Sequence, residues 1–316
     1  MTLHRMDIGA VTAGQSTALE YQLTNRRRHW AGFALWISES RFSGPLAAAP
    51  QAFCPHLPAR QARTVRSSFT PQRRGIIMLR SAEVSSAFPF GFIRRKKQFN
   101  MPLEMLVLPR VGRLRRALKL RGHEVFGTGA LAIRQHGGPD EFFGMREYRL
   151  GDSVRMIHWR RSARTGELVV REMTAHTPPQ MVVLLDVRSA DGTGAAEDVE
   201  RAIELAASIA CYGLDQGYAV GLVVAGAAAH PALARPALLG ERRRLILETL
   251  ARIEATGLSS DAEIEIPPAA RRRAHWVVVT LGQSDKLSSA VPRQSTPIVL
   301  AMNDPASQDW LSFDGA

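Results

Sequence analysis

The run Met181-Val-Val-Leu-Leu-Asp186 constrains this chain more than any other stretch. It is continuously apolar and then ends on an acid, with no polar alternation. Such a run suits a strand buried on both faces, which must sit inside a sheet covered by other elements. The next segment supplies a cover. Over Glu197–Asp215, Val199, Ala202, Ile203, Ala206, Ile209 and Ala210 recur at helical spacing, while Glu200, Arg201 and Glu204 point elsewhere. Gly217 is the expected C-terminal cap. The alternation then repeats: a strand over Ala219–Val224, a helix over Glu241–Ala255 with Gly257 past its end, and strands over Trp276–Thr280 and Pro297–Ala301. A short helix is expected near Lys286–Ala290. Strand–helix–strand order predicts a doubly wound, largely parallel sheet with helices on both faces.

The first hundred residues read differently. Short candidate strands (Thr17–Thr24, Phe33–Ile37, Ala62–Phe69, Gly75–Leu79 and Leu103–Leu108) are separated by turn signals such as Ser86–Gly91. That pattern predicts a small antiparallel sandwich. The fold class is therefore α/β plus all-β. An immunoglobulin-like β-sandwich domain is expected over residues 1–108, a connector over 109–176 and an α/β domain over 177–316. Arg113–Arg121 reads as a short basic amphipathic helix, leading into a Gly-containing crossing over Gly122–Gly138.

The chain has 41 Lys and Arg against 29 Asp and Glu, a net charge of +12, which draws a surface toward polyanions. Nucleic-acid binding needs basic clusters that converge with aromatics for stacking. Here Arg26–Arg28, Arg73-Arg74, Arg94–Lys97, Arg242–Arg244 and Arg271–Arg273 are scattered, and only Trp159 beside Arg160-Arg161 has the required mix. A nucleic-acid-binding protein is thus the weaker alternative. Arg94–Lys97 reads as a solvated loop and a candidate contact for an anionic membrane surface. No apolar run reaches the roughly 18 residues that span a bilayer. The two cysteines, Cys54 and Cys211, form neither a disulfide framework nor a zinc site, and Cys211 is expected in the core.

The densest chemistry lies in Asp140–Glu172, where acids, seven arginines and large aromatics interleave. Two readings stand: an Arg–carboxylate lattice that pins a linker, or a partner-binding surface, which arginine forks and aromatics suit. The ordered residues Glu141, Phe142, Gly144, Arg146 and Tyr148, then Gly151, Asp152, Arg155, His158 and Trp159, then Arg164, then Glu172, closely resemble the signature of the bacterial family called domain of unknown function 58. That resemblance implies a von Willebrand factor A-like second domain and a partnership with a MoxR-type AAA+ ATPase in assembling or remodelling a target complex near the membrane. It also implies a pair of membrane-spanning helices ahead of the sandwich. This chain starts after them, as a soluble variant, a misplaced start or a shortened chain, and the expected location is cytoplasmic with membrane association open.

A von Willebrand A domain holds a divalent metal with Asp-x-Ser-x-Ser at the end of its first strand. Here the segment is Asp186-Val187-Arg188-Ser189-Ala190, with Arg188 and Ala190 in place of the serines, and Leu281 where a later Asp would stand. A guanidinium beside the one carboxylate repels a cation, so no Mg is expected at Asp186 and no other cofactor is expected. Arg188 instead pairs with Asp186 or reaches an acidic partner, and Ser189 caps a turn. There is no phosphate-cradling glycine loop and no nucleophile elbow. His158, with Asp152, Ser153 and Ser162 nearby in sequence, keeps an unrecognised hydrolase as the second alternative. The preferred expectation is a non-enzymatic adaptor.

Overall fold

The chain folds as a mixed α/β protein made mostly of strands, with several sheets and few helices. The structure, a computed structural model, describes residues 1–6, 8–115, 118, 141–149, 152–174, 180–187, 196–225, 239–253, 274–282, 291, 296–304 and 310–313. In the first part the strands are β1 (Thr2–Arg5), β2 (Val11–Thr12), β3 (Thr17–Thr24), β4 (Gly32–Ser43), β5 (Gln51–Leu57), β6 (Ala62–Phe69), β7 (Gly75–Ser86), β8 (Arg95–Leu108) and β9 (Arg113–Leu114). They are followed by β10 (Glu141–Glu147), helix α1 (Trp159–Thr165), β11 (Val169–Thr174), β12 (Gln180–Asp186) and α2 (Ala196–Asp215). The last elements are β13 (Ala219–Val224), α3 (Leu239–Arg252), β14 (Ala274–Thr280), β15 (Ile298–Ala301) and β16 (Leu311–Ser312).

Two sheets form the first part, one ordered β1-β3-β6 and the other β2-β8-β7-β4-β5. Alternation drives both. Leu19, Tyr21 and Leu23 of β3 turn inward and join Ile37, Ile77, Leu79, Met105 and Val107 of the second sheet in one buried cluster. A charged group sits inside that cluster. Glu39, 3% exposed, accepts from Arg5 Nε at 3.1 Å and from Arg5 Nη2 at 2.7 Å, and the Tyr21 hydroxyl donates to it at 2.7 Å. Every buried charge there has a partner, as burial requires. Strand β5 was not expected from the sequence, because Pro55 interrupts it; it lies at a sheet edge, where a missing N–H is tolerated.

Two sequence expectations are corrected here. Arg95–Lys97 are not a loop: they open β8, paired with Val84–Ser86, although their side chains remain exposed. Arg113-Leu114 are not helical: they form β9, paired antiparallel with Leu311-Ser312, with Leu114 packed against the second core. The other residues of that expected helix, apart from Arg115 and Leu118, and the crossing over 122–138 lie outside the described residues.

The second part is a four-stranded parallel sheet ordered β13-β12-β14-β15. As the continuous apolar run demands, β12 is central and buried on both faces. Met181, Val183 and Leu185 face α2 and α3, while Val182 and Leu184 join Trp276, Val278 and Val291 on the opposite face. Both described helices join the first of these clusters, so helices on both faces are not what the described residues present. The expected helix near Lys286–Ala290 lies outside them. Gly213 sets the approach of α2 to the sheet: a Cβ there would meet Met181 Cε at 2.1 Å and Val220 Cγ2 at 2.9 Å. Cys211 is a buried core residue, as its apolar helix implied, and burial pushes its thiol up to about 11.

The two parts meet through specific contacts. Arg74, at the start of β7, points its buried guanidinium into the second part. Nη2 lies 3.1 Å from Glu200 Oε1 on α2, and Nη1 donates to the carbonyls of Ala251 and Ile253 at the C-terminus of α3. A cation there suits the negative end of a helix. Burial lowers the Arg74 pKa and raises that of Glu200, so desolvation outweighs their mutual attraction. Nearby, the Gly112 amide donates to Ser208 Oγ at 2.9 Å, and Arg110 stacks over Phe313 at 4.4 Å.

Candidate functional site

The dense segment builds a small self-supporting unit. Strands β10 and β11 pair antiparallel, with Glu141 opposite Thr174, Phe142 opposite Met173, and an irregularity before Gly144, which faces Glu172. Between the strands the chain makes a 3-10 turn at Val154–Met156 and the two-turn helix α1. Arg146 on β10 reaches Asp152 with both arms of its fork: Nη1 to Oδ2 at 2.6 Å and Nη2 to Oδ1 at 2.7 Å. The Arg149 amide donates to the same carboxylate at 2.9 Å. The Arg146 fork, then the Arg149 amide, bring the Asp152 carboxyl down to about 2. The Tyr148 amide donates to Leu168 O at 2.8 Å, closing the base of the hairpin.

His158 starts α1. Its amide donates to Val169 O at 2.8 Å and its Nδ1 accepts from the Arg161 amide at 3.2 Å, an N-cap made by an imidazole. Ser162 is 7% exposed and ties the helix to β11: its hydroxyl donates to His158 O and accepts from the Val169 amide at 2.9 Å. Gly166, at φ +78°, ends the helix in the left-handed conformation that glycine adopts freely. Ile157, Val169 and Val170 are buried beneath this network.

The sequence-derived residues therefore divide. Arg146, Tyr148, Asp152 and His158 are spent on the scaffold, while Glu141, Phe142, Gly144 and Glu172 lie in the paired strands. Arg155, Trp159 and Arg164 stay exposed, with Trp159 at 60%. Gly151 lies outside the described residues. Sequence reasoning missed Ser162 as the link between helix and strand; its spacing of four from His158 within a short helix was the available signal. It also missed the exposed apolar side chains of Val154 (60%) and Leu168 (46%). His158 Nδ1 accepts from a helix amide, Ser162 Oγ from the Val169 amide, and Asp152 holds the Arg146 fork.

At the carboxyl end of the parallel sheet, the strand order changes direction between β12 and β14, the place where such sheets hold ligands. Asp186, 2% exposed, pairs in register with Thr280 there. Thr280 Oγ1 accepts from the Gly282 amide at 3.3 Å, and Asn303 lies against Gly282. Leu281 packs against the apolar cluster. Among the described residues no three His, Cys, Asp or Glu gather as a metal site. Arg188 and Ser189 lie outside the described residues.

Two of the five basic clusters read from the sequence as scattered, Arg26–Arg28 and Arg94–Lys97, come together at the far end of the first part. There Arg27, Arg95, Lys96 and Lys97 line one cleft of about 390 Å³ together with Trp30, Phe33 and Phe88.

The family model described as "Protein of unknown function DUF58" matches residues 144–305, from within β10 to beyond β15. This chain belongs to the DUF58 family. In this DUF58 protein the matched region holds the Arg146–Asp152 fork, the α1 unit and the whole parallel sheet. No curated protein matches it. Solved structures similar to parts of this DUF58 chain include a beta-glucosidase from Listeria innocua, at 14% identity and a TM-score of 0.21, covering 34% of this chain and 16% of that enzyme. At that score the likeness carries no argument. Among the described residues no helix is long and apolar enough to cross a membrane.

Proposed function

We propose that this protein is a non-enzymatic adaptor that docks a MoxR-type AAA+ ATPase and takes part in assembling or remodelling a target complex. The single observation behind this reading is the division of labour within residues 141–174. Arg146, Asp152, His158 and Ser162 are bonded within the unit, while Trp159, Val154 and Leu168 are left 60%, 60% and 46% exposed, as are Arg155, Arg160 and Arg164. Exposed tryptophan and arginine on a braced scaffold make the composition of an interface hot spot. Which partner fits is drawn from the family resemblance alone.

In this reading residues 1–108 form a β-sandwich domain, 109–176 a connector that carries the docking face, and 177–316 a von Willebrand A-like domain. The parallel order β13-β12-β14-β15 and Asp186 at the switch point support that last assignment. The Asp-Val-Arg-Ser-Ala segment supports the loss of its metal site. Direct binding tests the proposal. Trp159→Ala removes a hot-spot side chain worth about 2 kcal/mol and weakens ATPase binding by about thirtyfold. Wild-type affinity in that variant sinks the proposed face.

A further inference from the structure

The β7–β8 turn is the most apolar exposed point among the described residues. Phe88, Phe90, Phe92 and Ile93 are 56%, 79%, 92% and 74% exposed, within six consecutive residues. A soluble surface rarely holds so many large apolar side chains together without a use for them. Directly behind them come Arg94, Arg95, Lys96 and Lys97, all exposed, the last three opening β8. The loop before β4 adds a second layer at the same end: Arg27 and the 74%-exposed Trp30 line the cleft shared with Arg95, Lys96 and Lys97. Arg26 and Arg27 lie close enough to Lys97 that all three push down the pKa of the Met1 amine, after burial. Glu83, paired with Lys96 at 3.0 Å, is the acid at the margin of this patch.

We infer that this end of the molecule is an anionic-membrane anchor, with Phe90, Phe92 and Ile93 of the turn inserted among acyl chains and the Arg27, Arg94–Lys97 layer held at the phosphate headgroups. The order of chemistry along the hairpin carries the assignment. Apolar side chains occupy the tip and cations the strand behind it, which is the layering of a bilayer: hydrocarbon first, negative charge outside it. A single-stranded nucleic acid would stack its bases on Trp30, Phe33 and Phe88 among the cations of the cleft, and would leave Phe90, Phe92 and Ile93, which are outside that lining, without a use. Ile93, 74% exposed in the same turn, gives a base nothing to stack on. Aromatic side chains at the level of the headgroups anchor membrane proteins for the same physical reason. The inference rests on the sandwich end alone and is independent of the ATPase reading.

The test is sedimentation of the full chain with vesicles of phosphatidylcholine alone and of phosphatidylcholine containing about a third phosphatidylglycerol. The wild-type chain should bind the anionic vesicles and largely ignore the neutral ones. Arg94→Gln with Arg95→Gln should weaken that binding roughly 25-fold, from about fivefold per cation. Phe90→Ser, Phe92→Ser and Ile93→Ser together should weaken it at least about tenfold even where salt has removed the electrostatic part, because burial of apolar surface is not screened. These residues are exposed, so circular dichroism and thermal unfolding should stay unchanged, which separates lost binding from lost fold. Equal binding to both vesicle types, or wild-type binding by the triple variant, overturns the inference. So does tighter, steeply salt-dependent binding to an oligothymidylate than to the anionic vesicles.

Discussion

Replacing Arg74 by alanine should destabilise the contact between the two parts of the chain by about 3 kcal/mol. The arginine side chain is 3% exposed and that of Glu200 19%, so the pair is largely removed from water. Removing one member of a buried pair costs about 3–5 kcal/mol, because the remaining charge is left desolvated. Glu200 keeps some contact with water and its pKa is already raised by burial, so it can escape by taking up a proton, which sets the cost near the lower figure. Two carbonyls at the end of α3 also lose a donor. A surface pair of the same geometry would cost under about 1 kcal/mol, so the magnitude discriminates.

A chain with two cores need not unfold in one step. The assay is therefore native-state hydrogen exchange at the first turn of α2 and the last turn of α3. The deficit should grow as pH rises above the ordinary carboxyl range: a carboxyl with a raised folded pKa loses stability as it ionises, and removing Arg74 takes away the main attraction opposing that rise. Arg74→Met combined with Glu200→Gln should recover to within about 1 kcal/mol of the wild type, since an uncharged pair escapes the desolvation cost. A loss below about 1 kcal/mol in the single variant, or no recovery in the double, would refute the reasoning.

Two further predictions concern stability. The Asp152 carboxyl, held at about 2, contributes stability that is complete above its ordinary value near 4 and lost as pH falls through about 2. Arg146→Gln should return its midpoint, followed by NMR, to above about 3, and an unchanged midpoint would mean that the fork is not its cause. Gly213→Ala should cost about 1–3 kcal/mol by forcing α2 away from Met181 and Val220, despite alanine's better helix propensity. A urea midpoint at or above wild type would show that the helix has room to move.

How much was legible depended on whether local pattern and long-range contact agreed. The run Met181–Asp186 and the spacing of Val199–Ala210 announced a buried strand and its covering helix, because one-dimensional pattern alone decides both. The family signature was equally readable, since the order of its residues survives in sequence. Strand β5 was hidden because Pro55 is tolerated only at an edge, and edges are a property of the sheet. Arg113–Leu114 looked helical because its charges and leucines suit an amphipathic helix, yet pairing with Leu311–Ser312 decides its conformation from nearly two hundred residues away. Arg74 resembled any basic turn residue; only the packing of α2 and α3 against it makes it a buried lock. The convergence of Arg27 with Arg95–Lys97 depends on β4 lying beside β7, which the spacing of the clusters does not encode.

Calorimetry between the full chain and the MoxR-type ATPase of the same organism, with and without ATP, tests the adaptor account most directly. Nucleotide-dependent binding at micromolar or tighter affinity, weakened about thirtyfold by Trp159→Ala and also weakened by Arg155→Ala, is the predicted result. No binding in any nucleotide state, or binding that both variants leave at wild-type strength, would contradict it.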